Sequence, residues 1–368
     1  MIVIIGPAHP YRGGIADTNE SLAYTLLSQG HDVKIFTFSR MYPNALFPGK
    51  TQFSSKEKPY ELDIERTIDS LRPKTWVNTS KLINKLSPSL IIFRYWTPFL
   101  SPCLGTIARL LKSFTRIAIV DNAKGHEPKM GESALLRYFL GSQDGLLSFS
   151  ENVTQQLQRK TQKTVVTHPH PVNQGLPSKI EKSRARTILG LNKNAPVLLF
   201  FGLLRKYKGV EVLIDAIAEL RGKLPNVQLL IVGEAYTSIE PYLKKIKTLD
   251  LENNISFHTS YIEDKDVSVW FSASDCVVQP YQSASQSGIT PMALHFHRPM
   301  VVTDVGGLAE GLAPPVAKIV SPYAHAIANG IFSVINAKLP EEKDFKEYLE
   351  QRSWKKFTKK MTAFAQSL

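Results

Sequence analysis

FFGLLRKYKG, residues 200–209, decides the fold of this chain. It follows the apolar run 197–199, which is typical of a buried strand, and it contains two glycines and three cations. An amphipathic helical pattern opens directly after it, with apolar residues recurring at helical spacing from Val210 to Leu220. A cationic, glycine-containing loop therefore lies between the carboxyl end of a strand and the amino end of a helix. In open α/β sheets ligands bind at that edge, and helix amino termini favour anions.

Two side chains of this loop are candidate phosphate ligands. Arg205 and Lys208 would each add a charge-assisted hydrogen bond to a bound phosphate, contributing roughly 1.5–3 kcal/mol. The alternative is that both are solvated loop cations, which is the usual state of lysine and arginine. The loop alone leaves both interpretations open.

The same alternation of apolar runs and helical patterns covers most of the chain and predicts an α/β fold with two doubly wound parallel sheets. In the first half, strands are predicted at 1–6, 33–39, 90–95, 116–121, 145–149 and 164–168, and helices at 14–29, 75–86, 102–113, 132–141 and 151–161. Residues 169–182 read as a linker. In the second half, strands are predicted at 196–201, 227–232, 255–259, 275–279, 299–303 and 317–320, and helices at 209–222, 238–248, 264–272, 287–296, 323–336 and within 342–367. The predicted domains are 1–172 and 173–352, with a last helix at 353–368 that packs back on the first domain.

Composition limits the class of protein. The 368 residues are 43% hydrophobic and 21% charged, which is ordinary for a soluble globular protein. The two cysteines, Cys103 and Cys276, are far apart in apolar surroundings and predict buried thiols in a reducing compartment. The opening run 1–5 is too short for a signal peptide or a membrane span. We therefore expect a cytoplasmic protein, in contact with a membrane at most at its inner face.

The net charge of +13 predicts an anionic partner. Residues 1–172 hold 21 Lys and Arg against 13 Asp and Glu, so the first domain carries most of the excess. Nucleic acid is disfavoured because no recognition motif is present. A bound metal is also not expected, because the candidate acids stand apart in the sequence: Asp121, Asp144, Asp275 and Asp304.

Five further segments add to the phosphate-binding loop. They are GPAHPYRGGIA at 6–16, DNAKGHEP at 121–128, LLIVGEA at 229–235, the stretch from Asn254 to Ile262, and RPMVVTDVGG at 298–307. Together with residues 200–209 they resemble the retaining glycosyltransferases of family 4, over nearly the whole chain. The resemblance implies the GT-B fold, in which two Rossmann-like domains face each other across a cleft.

The resemblance assigns roles to individual residues. In the first domain, Gly13 and Gly14 let backbone approach the donor phosphates, and His126 is the catalytic candidate that faces the sugar. In the second domain, the donor-binding candidates are Gly202, Arg205, Lys208, Gly233, Tyr261 and Ile262, the last two supplying backbone contacts to the nucleobase. The arginine that many members carry directly after the first glycine is Leu203 here, and Arg205 is expected to replace it.

One segment departs from the family. Members usually carry two glutamates before the strand that leads into the Gly-Gly turn, and here those positions are Ala284 and Met292. The intervening loop is instead polar and small, and we expect its amides and hydroxyls to hold the diphosphate and ribose. Its donor-binding candidates are Ser285, Gln286, Ser287, Gly288 and Thr290. The alternative is a capped helix start, since serine is a common cap.

These features predict transfer of a sugar, with retention, from a nucleotide-diphosphate sugar to a glycan or lipid-linked acceptor, without cofactor or metal. Two alternatives stay open: an epimerase or hydrolase of nucleotide sugars on the same fold, and a binding-only protein that has lost catalysis. Weak contact with an anionic membrane surface is expected through the first domain. The basic segment 107–116 is the candidate for that contact, unless it is an ordinary helix packed on the sheet.

Overall fold

The structure is a computed structural model that describes residues 1–43, 51–54, 57, 60–123, 131–235 and 238–368. The chain forms two compact units. The first comprises Met1–Gln174 and Gln351–Leu368, and the second comprises Gly175–Glu350. These divisions lie two residues from the predicted domain boundaries.

The first unit is built on a seven-stranded sheet in the order β3-β2-β1-β4-β5-β6-β7, in which all neighbouring strands are parallel. Its strands are β1 (Ile2–Ile5), β2 (Val33–Arg40), β3 (Asp63–Asp69), β4 (Leu90–Tyr95), β5 (Arg116–Val120), β6 (Gly145–Ser148) and β7 (Val165–Thr167). Because β1 and β4 are neighbours, the strand order reverses between them, and the loops that follow these two strands leave the sheet on opposite sides.

Helices cover this sheet. They are α1 (Gly14–Ser28), α2 (Pro73–Leu86), α3 (Ser101–Leu110), α4 (Glu132–Leu140) and α5 (Glu151–Gln158), together with the last helix α13 (Trp354–Gln366). Helix α13 packs on the first unit through an apolar face that includes Trp354, Phe357 and Met361, all buried. The terminal helix therefore completes the core of the first unit.

The second unit repeats the plan with six parallel strands in the order β10-β9-β8-β11-β12-β13. Its strands are β8 (Val197–Phe201), β9 (Gln228–Val232), β10 (Ile255–His258), β11 (Cys276–Gln279), β12 (Met300–Thr303) and β13 (Ala317–Val320). Its helices are α6 (Lys182–Ile188), α7 (Val210–Arg221), α8 (Glu240–Thr248), α9 (Asp264–Ala273), α10 (Ile289–His295), α11 (Ala324–Asn336) and α12 (Glu342–Gln351). The strand order reverses between β8 and β11.

The predicted fold class is confirmed, since both units are parallel α/β sheets covered by helices. Two elements were not predicted. Strand β3, with sequence DIERTID, lies at the sheet edge and has only two apolar residues, so it lacks an apolar run. Helix α6 begins at Lys182 inside the predicted linker, and its sequence KSRARTI is mostly polar because little of it faces the core.

One side of the basic segment 107–116 packs into the first unit. Ile107 and Leu111 are fully buried in the core of the first unit. Arg109 donates to the carbonyl oxygen of Tyr138 at 2.6 Å, and Arg116 forms an ion pair with Asp144 at 2.7 Å. This inner side packs as in an ordinary surface helix, whereas Arg109, Leu110 and Lys112 are exposed, so contact of the segment with a membrane stays a prediction. In the described ranges no helix has the length and apolar character needed to cross a membrane.

Candidate functional site

The loops at the switch point of the second unit are joined through their main chains. After β8, the amide of Gly202 donates to the carbonyl oxygen of Val232 at 2.9 Å, and Leu204 donates to Glu234 at 2.9 Å. Gly202 and Gly233 have φ values of 108° and 140°, in the region that favours glycine. A Cβ on Gly233 would lie 2.2 Å from the carbonyl oxygen of Gly202. The loops after β8 and β9 therefore approach so closely that only glycine fits.

The loop after β11 is held to the loop after β8 and to the Gly-Gly turn after β12. Gln282 donates its amide to the carbonyl oxygen of Tyr207 at 2.7 Å, and Gly307 donates to that of Ala284 at 3.1 Å. A Cβ on Gly306 would lie 1.8 Å from the oxygen of Ala284. Ala284 is thus part of a close backbone contact that fixes this loop.

Lys208 is the buried cation of the site. Its side chain lies at the end of the 3-10 turn Lys206–Lys208 and is 9% exposed. Its ammonium nitrogen lies 5.1 Å from the centre of the Tyr281 ring and 3.0 Å from the point where a Cβ on Gly202 would stand. Within the described ranges it has no carboxylate partner. Burial lowers the pKa of Lys208, while Tyr207 opposes this shift and the charge of Arg205 adds to it.

The position that a Cβ on Gly202 would occupy also lies 3.3 Å from the side chain of Ile289, the first residue of helix α10. The Lys208 ammonium and the start of α10 therefore meet at one place above the carboxyl end of β8. Arg205 opens the turn that carries Lys208 and is half-buried. Leu203, directly after Gly202, is 38% exposed and brings no cation to this loop.

The polar loop before α10 has mixed roles. Ser287 accepts a hydrogen bond from the amide of Ile289 at 3.2 Å, which supports the capping interpretation, and contacts the hydroxyl of Tyr281 at 3.4 Å. Thr290 is buried and its hydroxyl accepts from the side chain of Gln279 at 3.1 Å, so it faces strand β11. Ser285, Gln286 and Gly288 precede the helix, which begins at Ile289 rather than at the predicted 287.

The remaining predicted residues lie elsewhere. Tyr261 and Ile262 follow β10, with Tyr261 36% exposed and Ile262 packed against the core of the second unit. Gly13, with φ of 106°, immediately precedes α1 in the first unit, and Gly14 begins that helix. His126 lies outside the described residues.

Tyr281 was missed by sequence reasoning. It is buried beneath the Lys208 ammonium, and burial raises its pKa to about 12. Its ring is edge-on to that of Tyr207, with ring centres 6.3 Å apart. No local signal marks it, because its role depends on two loops that meet only in the folded unit.

The four aspartates considered as metal ligands are not grouped. Three of them pair with cations: Asp121 with Arg94, Asp144 with Arg116, and Asp275 with Arg186. Across the residues that the structure describes, no cluster of three or more histidine, cysteine or acidic side chains is arranged to hold a metal.

Comparisons with known proteins agree with this architecture. Residues 181–352, nearly all of the second unit, match the family described as "Glycosyl transferases group 1". A D-inositol 3-phosphate glycosyltransferase of Segniliparus rotundus is 30% identical over 154 residues, 41% of this chain and 34% of that protein. A GDP-mannose:glycolipid 4-beta-D-mannosyltransferase of Xanthomonas campestris pv. campestris is 36% identical over 104 residues, 28% of this chain and 29% of that protein. The matches span about a third of each curated relative's length.

Solved structures resemble the whole chain. Anabaena Alr3699/HepE, in complex with UDP, superposes with a TM-score of 0.77 at 17% identity and full coverage of both chains. A sucrose-phosphate synthase from Thermosynechococcus elongatus superposes with a TM-score of 0.74 at 18% identity, covering 100% of this chain and 98% of that one. The fold is therefore that of the GT-B glycosyltransferases.

Proposed function

We propose that this protein is a glycosyltransferase that moves a sugar from a nucleotide-diphosphate donor to a glycan or lipid-linked acceptor. The observation that carries the proposal is Lys208, an ammonium buried at the strand-order reversal of the second unit without a carboxylate partner in the described ranges. A buried charge without a partner is costly, and an incoming phosphate would supply the missing charge.

Sugar transfer needs mainly a site that stabilises the departing diphosphate. As the bond between the sugar and the diphosphate breaks, negative charge builds on the leaving phosphate. A fixed cation and backbone amides stabilise that charge most where water is excluded. Lys208 and Arg205 supply the cations, and the loop before α10 supplies amides and hydroxyls. Retention of configuration, and the placing of this chain in family 4, rest on the resemblance of the sequence.

His126 is the proposed catalytic residue of the first unit. Its role rests on the resemblance of residues 121–128, and we expect His126→Ala to lower turnover more than it lowers nucleotide affinity. The measurement is kcat beside the dissociation constant for the nucleotide diphosphate. Normal turnover with a large loss of thermal stability would show that His126 is structural instead.

The decisive experiment has two stages. UDP, GDP and ADP are first titrated into the full chain by calorimetry, and the nucleotide sugars of the bases that bind are then assayed for transfer and for hydrolysis. Binding followed by transfer supports the proposal. Binding without turnover would indicate the binding-only alternative, which Ala284 and Met292 in place of glutamates keep open. Hydrolysis alone would indicate the other alternative.

We further propose that no metal takes part. Transfer should persist in excess EDTA, because the four candidate aspartates lie apart and three of them already pair with cations. Loss of transfer on chelation, with recovery on addition of magnesium or manganese, would show that a metal is required.

We also propose a weak contact with anionic membranes through helix α2 of the first unit. One exposed face of α2 carries Lys74, Lys81 and Lys85 interleaved with Val77 and Leu82, and the helix contains no acidic residue. Lysines near an anionic surface contribute about 1 kcal/mol each, within a Debye length of roughly 8–10 Å, while exposed apolar groups enter the interface.

Co-sedimentation with anionic vesicles at low and high salt tests this surface. A variant with Lys74, Lys81 and Lys85 changed to serine should pellet much less than wild type at low salt. A control with the same charge change in the second unit, at Lys244, Lys247 and Lys318, should pellet normally. Equal loss in both variants would mean that only net charge matters and that α2 is not a specific surface.

A further inference from the structure

A cavity of about 240 Å³ lies along the free edge of the second sheet. Strand β10 is the edge strand there, and successive residues of a strand alternate between its two faces. Ser256 and His258 therefore point to the same face, towards helix α9. The ring of Trp270 on α9 lies 4.5 Å from that of His258 and covers one end of the strand. Ser256 is left exposed, and Leu191 closes the opposite wall.

Polar groups converge on this cavity without partners of their own. The side-chain oxygen of Gln228, on the neighbouring strand β9, is buried and accepts no hydrogen bond. Within the described ranges, the hydroxyl of Ser256, the ring nitrogens of His258 and the side-chain amide of Asn253 are also without hydrogen-bond partners. A buried polar atom left unsatisfied costs about 1–3 kcal/mol, so the Gln228 oxygen favours a ligand that donates a hydrogen bond to it. Asn253 and Ser256 are exposed and His258 is partly exposed, so they can exchange bound water for ligand groups that donate or accept.

The charge of the lining excludes a second phosphate site. No lysine or arginine is among the lining residues, and the one acid, Glu252, is exposed. Burial lowers the pKa of His258, so its imidazole is neutral at neutral pH and can both donate and accept. The volume is also below the roughly 300–1,000 Å³ of pockets that hold drug-sized ligands. A small, uncharged ligand fits better than a nucleotide.

We propose that this cavity binds one uncharged sugar ring, as a glycan site separate from the donor site. Gln228, Asn253, Ser256 and His258 offer the donors and acceptors that sugar hydroxyls require. The walls formed by Leu191 and Trp270 match the apolar C–H face of a pyranose ring. None of these residues is among the predicted donor ligands, so the proposal stands whether or not the donor site has been identified correctly.

The test is saturation-transfer NMR and calorimetry on the full chain with methyl α-glucoside, methyl α-galactoside and methyl α-mannoside. At least one should bind. Ser256→Tyr, which fills the cavity from an exposed position, and Gln228→Leu, which removes the amide at constant size, should each weaken binding at least tenfold. Gln162→Leu, at an exposed amide of the first unit, should bind as wild type does.

Two arms separate this site from the donor site. Lys208→Ala should leave binding of the methyl glycoside unchanged, and saturating UDP should not displace it. The proposal is overturned if none of the three glycosides binds, if Ser256→Tyr and Gln228→Leu both bind normally, or if UDP displaces the sugar. The last result would make the cavity part of the nucleotide site. As a control, Gln228→Leu should melt at the same temperature as wild type, which shows that its loss of binding does not come from unfolding.

Discussion

The ammonium nitrogen of Lys208 lies 5.1 Å from the centre of the buried Tyr281 ring. An aromatic face stabilises a cation by up to about 2 kcal/mol when the pair is desolvated, which offsets only part of the cost of burial. The site therefore holds a cation that its own surroundings do not neutralise. Removing the charge of Lys208 should lower the affinity for the nucleotide diphosphate without lowering the stability of the free protein.

Lys208→Met should weaken binding of the nucleotide diphosphate by about ten- to a hundredfold, because a charge-assisted bond worth roughly 1.5–3 kcal/mol is lost. The free protein should be at least as stable as wild type, since a buried charge is replaced by an apolar side chain. Calorimetric titration and chemical denaturation measure the two effects. Lys206→Met, at the exposed neighbour, should change neither. Equal nucleotide affinity in wild type and Lys208→Met would refute the phosphate assignment.

Arg205→Ala should also weaken nucleotide binding, by a comparable factor and without unfolding the protein, because Arg205 opens the same turn and is only half-buried. The same titration measures it. If the affinity of the variant matches that of wild type, the loop carries one phosphate-binding cation rather than two.

Gly306→Ala should destabilise the second unit by about 2–4 kcal/mol, because the residue has φ of 53° and a Cβ would lie 1.8 Å from the carbonyl oxygen of Ala284. Gly288→Ala is the matched control, with φ of −69° and no atom within 4 Å of its Cβ position. Denaturant titration compares them. A similar small change in both variants would mean that the turn after β12 relaxes freely.

The buried pair of Arg94 and Asp121 should be important for the stability of the first unit. The two side chains form hydrogen bonds of 2.6 and 2.7 Å at the ends of β4 and β5, and Arg94 is 1% exposed. Arg94→Met removes the cation from this buried ion pair and should cost about 3–5 kcal/mol. Breaking the exposed pair of Lys338 and Glu341 should lower stability far less, because water screens both side chains. Equal losses would show that burial does not strengthen the first pair.

His170 should make the first unit sensitive to mild acid. Burial lowers the pKa of His170 to about 4, against an ordinary value near 6.5. The unfolded chain therefore binds more protons than the folded one between these values, and the stability that the neutral ring contributes is complete above about pH 6.5 and declines as the pH falls towards 4. His170→Gln should flatten this part of the stability profile. His31→Gln, at an exposed histidine, should leave it unchanged, and a profile unaltered by His170→Gln would contradict the assignment.

The sequence alone predicted the alternation of strands and helices, because buried parallel strands are continuous apolar runs such as 197–201 and their helices carry one apolar face. The sequence did not predict strand β3 and helix α6, because each is mostly polar and is stabilised by contacts with residues distant in sequence. The cations Arg205 and Lys208 were also visible, since a glycine loop between strand and helix is a local pattern.

Only the tertiary structure decided how these residues act. Lys208 is buried because Tyr281, 73 positions further along the chain, closes over it, and Gly306 is required because the oxygen of Ala284 occupies the space a side chain would need. The amphipathic sequence of segment 107–116 fits both a membrane surface and a helix packed on the sheet. Only the structure shows that Ile107 and Leu111 lie in the core. Local sequence fixes which conformations are favourable, whereas burial and the loss of solvent from a charge depend on which distant segments the fold brings together.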